Sequence, residues 1–114
     1  YQSMQMLLQK EPNNSFFLDA FGEILMSFED YAQAVPIFTR ALQSQPTQIQ
    51  RFQIQIKLGI CHKELLNLEK SAELLTLGKE NSKTGNISIE TKTKWTSIAD
   101  LYLKQIKMKQ KDRE

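Results

Sequence analysis

The chain has 114 residues, 40% of them hydrophobic and 25% charged, and a formal net charge of +2. That length supports one domain with a buried core, and four glycines and three prolines argue against a loop-rich or disordered chain. The charge is too small to mark a nucleic-acid binder, the single Cys61 allows no internal disulfide or paired-cysteine zinc site, and no apolar run reaches the length of a bilayer.

Residues 1–11 read as a helix with Met4 and Leu7 turned inward and Pro12 as its stop. They lack the layout of a signal peptide. Phe17, Phe21, Ile24, Leu25 and Phe28 then recur at three- and four-residue steps, the buried stripe of an amphipathic helix. Glu29 and Asp30 interrupt the stripe, and Asp30 is a good N-cap for a second helix with Ala34, Ile37, Phe38, Ala41 and Leu42 on one face. Pro36 lies early enough in that helix to remove only one backbone donor. A second stop, Gln45-Pro46-Thr47-Gln48, echoes Glu11-Pro12-Asn13-Asn14 about one repeat length later, so the hairpin over 15–46 is the first unit of a repeat.

The second unit, 48–80, carries Gln55, Leu58, Gly59 and His62 on its first helix and Ser71, Leu75 and Gly78 on its second. Its Leu58-Gly59 pair falls later than a strict repeat demands, which predicts a first helix starting a turn early, near Gln48. Residues 81–91 are polar, contain Gly85 and read as an inserted loop. Over 92–114 no turn interrupts the good helix formers, and Lys104, Lys107, Lys109, Lys111 and Arg113 give the segment a basic end, read first as solvated surface, with weak binding of nucleic acid or an acidic partner as the lesser alternative.

Leu18, Phe21, Gly22 and Leu25, followed by Tyr31, Ala34, Phe38, Ala41 and Pro46, resemble the tetratricopeptide-repeat family, as does Trp95-Thr96-Ser97-Ile98-Ala99-Asp100-Leu101-Tyr102. The resemblance covers nearly the whole chain. It implies an all-α fold, an α-solenoid of antiparallel hairpins in a right-handed superhelix, with two full repeats and a half repeat at each end. The half repeats and the start at Tyr1 lead us to expect a fragment of a longer chain. The family's groove-facing slots fall on Phe16, Asp19, Glu23 and Met26, then on Gln53, Ile56, Ile60 and Lys63, then on Thr93, Thr96, Asp100, Leu103 and Lys104. The groove that grips the terminal carboxylate of Hsp70 or Hsp90 needs Lys, Asn and Arg where this chain has Asp19, Glu23, Thr93 and Ser97, so that partner is not expected.

For chemistry, Asp19 and Glu23 are the best acid pair, four residues apart on one helical face, with no nucleophile or histidine beside them. They read as groove charge. His62 and Cys61 read as packed core residues, Trp95 as an anchor within its repeat, and no Gly-rich phosphate loop is present. Asn13-Asn14-Ser15 and Asn86-Ile87-Ser88 match the glycosylation rule by chance. The expectation is therefore a scaffold without cofactor, metal or catalysis, in the cytoplasm or nucleus, that binds a helical or extended protein segment by apolar anchors. A free-standing adaptor or chaperone is the alternative.

Overall fold

Residues 2–112 are described by the computed structural model, and they form α1 (Gln2–Lys10), α2 (Ser15–Ser27), α3 (Tyr31–Gln43), α4 (Gln48–Glu64), α5 (Leu68–Ser82) and α6 (Ile89–Asp112), with no strand among them. Tyr1 and Arg113, both named in the sequence reading, lie outside the described residues. No helix among the described residues is long and apolar enough to cross a membrane.

Side chains close the starts of α2, α3 and α4. Asn14 Oδ1 accepts from the Phe17 amide at 3.1 Å, Asp30 Oδ1 from Gln33 at 3.4 Å, and Thr47 Oγ from Gln50 at 3.2 Å. Gln50 Oε1 answers by accepting from the Thr47 amide at 3.1 Å, a reciprocal capping box. Each cap satisfies a backbone donor that the helix itself cannot.

Two of the turns are the same turn. After α2, the Glu29 amide donates to Met26 O at 2.9 Å and the Asp30 amide to Leu25 O at 2.8 Å; after α4, Leu66 donates to Lys63 O at 3.0 Å and Asn67 to His62 O at 2.8 Å. Both are Schellman closures, and both force a non-glycine residue into left-handed backbone, Glu29 at φ 59° and Leu66 at φ 66°. The hairpin packing repeats too. A Cβ on Gly22 would stand 2.5 Å from the Phe38 ring, and one on Gly59 would stand 2.8 Å from Leu75 Cγ. Gly59, Leu66, Asn67 and Leu75 follow Gly22, Glu29, Asp30 and Phe38 at one constant offset, so α2–α3 and α4–α5 are built on one plan.

The core divides into two clusters that share α4. Leu18, Phe21 and Leu25 of α2 pack with Ala34, Phe38 and Ala41 of α3 and with Ile54, Leu58 and Cys61 of α4. Phe52, Ile56 and Ile60 of α4 pack with Leu68 and Leu75 of α5 and with Ala99 and Ile106 of α6. Residues 54–61 are consequently buried without a break, so α4 has no solvent face over two turns. Burial pushes the Cys61 thiol up to about 12, which makes it an inert packing group.

Three sequence expectations change here. Leu7 is 40% exposed, and Met4 and Leu8 are the residues of α1 that pack on the first cluster. Phe28 does not extend the buried stripe of α2; the helix ends at Ser27, the Schellman turn rotates the next residue outward, and Phe28 is 69% exposed. The connection before the last helix is shorter than 81–91, because α5 runs to Ser82 and α6 begins at Ile89.

Replacing Glu29 with Gly should raise the unfolding free energy by about 0.5–1 kcal/mol, the left-handed penalty less the entropy cost of glycine. Urea denaturation reads this directly, and an unchanged or lower midpoint would refute the strain. His62, with its Nδ1 3.3 Å from Asn67 Nδ2, has its pKa lowered from 6.5 by burial and secondarily by Lys70. The unfolded chain therefore takes up this proton before the native one, and stability should fall as pH drops below about 6.5; the decline should flatten in His62→Gln.

Candidate partner-binding cleft

Because α4 lies beneath both α2 and α6, the three helices enclose an open cleft of about 600 Å³. Glu23, Met26 and Ser27 form the α2 wall, Lys57 and Ile60 the α4 floor, and Trp95, Ile98, Leu101 and Tyr102 the α6 wall. The lining is chiefly apolar. Ser27 Oγ donates to Ile24 O at 2.6 Å, so that hydroxyl is already satisfied within its own helix.

At the floor, Lys57 is only 4% exposed. Its Nζ stands 2.8 Å from Asp19 Oδ1 and 2.6 Å from Glu23 Oε1, and 5.5 Å from the centroid of the Trp95 ring. A buried ammonium without anions is strongly unfavourable, and here two carboxylates one helical turn apart and one aromatic face supply the compensation. The cost shows on the acid. Burial raises the Asp19 pKa above 3.8 even though the bond and charge of Lys57 both pull it down. Glu23 is the more open partner, with 57% of its side chain exposed at the cleft mouth.

Of the sequence-predicted residues, Glu23, Met26 and Ile60 line the cleft and Asp19 braces its floor. Lys63 joins its edge, 3.2 Å from Glu64 Oε1 and 5.5 Å from the Tyr102 ring centroid. Gln53 is half-buried on α4, and Phe16 is 64% exposed at the start of α2. Ile56 is misassigned: it is fully buried over Gly78 of α5, because this helix has core on both sides. Asp100 does not line the cleft, and its carboxylate receives Lys79 of α5. Thr93 and Lys104 are exposed, Thr96 donates to Lys92 O at 2.7 Å, and Leu103 packs on the second cluster, so none of these lines the cleft.

Sequence reading missed Lys57, Ser27, Ile98, Leu101 and Tyr102 as cleft residues, and Trp95, expected as an internal anchor, packs on the second cluster and also forms cleft wall. Two signals were available. A lone lysine inside Ile54-Gln55-Ile56-Lys57-Leu58-Gly59-Ile60 demands a counter-ion, and Asp19 with Glu23 is the matching pair. Trp95, Ile98 and Tyr102 also fall at helical spacing on one face of α6. Among the described residues no group of His, Cys, Asp and Glu could hold a metal ion. Compared with known proteins, this chain matches no family model, no curated protein and no solved structure.

Lys57→Met should destabilise the fold by about 3 kcal/mol by leaving a half-buried acid pair without its cation. Adding Asp19→Asn and Glu23→Gln to that variant should recover most of the loss. Paired urea titrations decide the matter: equal stability of the single and triple variants would mean that the ion cluster carries no weight.

Proposed function

We propose that this chain is a protein-binding scaffold module that holds apolar anchors of a partner segment in the α2–α4–α6 cleft. The observation that carries the reading is an open apolar cleft whose charged lining groups, Glu23 and Lys57, are already paired with each other. Such a surface rewards burial of apolar side chains and gives an isolated charge nothing to bind. The same pairing argues against catalysis, since the acids that might act as base or ligand are committed to a lysine.

The repeated Schellman turn and the repeated contact of glycine with a bulky side chain support a tetratricopeptide-like solenoid, with first helices α2, α4 and α6 facing one groove. In that arrangement a terminal carboxylate clamp has no place. The one cation on the cleft floor is held by two acids, so an incoming carboxylate meets Glu23 first.

A photo-crosslinking residue placed at Leu101, which is 55% exposed on the cleft wall, should capture a discrete partner when the intact gene product is expressed in its source cells. The same residue placed at Leu77, 40% exposed on α5 and away from the cleft, should not. Equal capture from both positions, read by mass spectrometry, would remove the cleft as the binding surface.

A further inference from the structure

The chemistry of the cleft also says which kind of segment fits it. Each residue that lines it lies within a helix, and no strand edge occurs among the described residues. An extended segment laid there would bury backbone N–H and C=O groups against Met26, Ile60, Trp95 and Leu101 with no ladder to join. A helix brings its backbone already satisfied and offers only side chains.

Charge is unequal across the two walls. On α2 the acids Asp19 and Glu23 both hold Lys57, so the negative charge of that wall is partly neutralised from the floor. On α6 the balance runs the other way. Lys94 is exposed and rests 5.9 Å from the cleft-lining Trp95 ring, Lys104, Lys107 and Lys111 follow it as exposed side chains, and Asp100 is drawn off by Lys79. Glu90 and Asp112 stand only near the two ends of this helix. A partner helix that carries its carboxylates on the side facing α6 therefore meets a favourable field there, whereas carboxylates turned toward α2 meet Glu23.

We infer that the occupant of the cleft is an amphipathic α-helix of a partner protein whose apolar anchors are flanked by acidic residues; this rests on the scaffold reading above. The anchors seat on Ile60, Ile98 and Leu101, and the carboxylates lie on the α6 side, toward Lys94 beside the Trp95 ring. Trp95, the only tryptophan of the chain, reports occupancy by its fluorescence.

The test uses three synthetic probes of about 18 residues, roughly five helical turns. The first has leucines at i, i+3, i+4 and i+7 with glutamates elsewhere, the second has lysines in place of the glutamates, and the third is the acidic probe with two central prolines. The acidic helix should shift the Trp95 emission with a Kd about tenfold below those of the basic and proline probes. Added salt should narrow its margin over the basic probe, Lys94→Glu should narrow it further, and Leu101→Glu, an exposed change that spares the fold, should weaken all binding. A basic or proline probe that binds as well as the acidic helix, while Leu101→Glu still weakens binding, overturns this inference and leaves the scaffold reading standing. No binding by any probe, together with unchanged capture at Leu101 in cells carrying Leu101-adjacent Ile98→Glu, overturns both.

Discussion

An ammonium group in a protein interior has to be matched by anions, and in this chain the match at Lys57 organises everything around it. The lysine projects from the helix that both halves of the core share, so its counter-ions cannot come from α4 itself without disturbing that packing. They come from α2, as Asp19 and Glu23, and the remaining face of the charge is covered by Trp95 of α6. One side chain thus ties three helices at the point where they leave a cleft open. Net stabilisation from such a buried pair is small compared with replacement by apolar residues, so its clearest effect is on geometry, because α2 and α4 are held at the separation at which both bonds form.

Much of the fold is legible in the sequence, for reasons that can be located. Helix periodicity gives α2 through Phe21 and Leu25 and α3 through Ala34, Phe38 and Ala41, and all five residues are buried. Asp30 and Thr47 announce helix starts because their side chains compete for the first free amides. Phe28 misleads because periodicity carries no information about where a Schellman turn will end the helix. Leu7 misleads for a related reason: a nine-residue helix holding few apolar side chains does not fix its own rotation, and the face that packs is the one carrying Met4 and Leu8.

The cleft was harder to read. Carrying slots over from a repeat pattern assumes that each first helix has one inner and one outer face, and α4 breaks that assumption by burying every residue from Ile54 to Cys61. Ile56 therefore goes to the core while Ile60, one turn later, reaches the cleft floor. On α6, Trp95, Ile98 and Tyr102 make the wall and Asp100 turns to α5. The acid pair on α2 is visible as a pair and the lone Lys57 among apolar residues signals a need for counter-ions, but local periodicity does not join groups so far apart in sequence.

The sharing of α4 between the two clusters has a consequence for how the molecule comes apart. Repeat arrays often unravel from an end, because each unit touches only its neighbours and the remainder keeps a complete core. Here the loss of α5 and α6 strips the second cluster from α4 and exposes Phe52, Ile56 and Ile60, while the loss of α2 and α3 exposes Ile54, Leu58 and Cys61. Neither half can be peeled away without leaving the central helix wet on one side. Amide protons along α4 should accordingly exchange together and last, as a single cooperative unit, and the hairpins so plainly alike in local construction melt as one body.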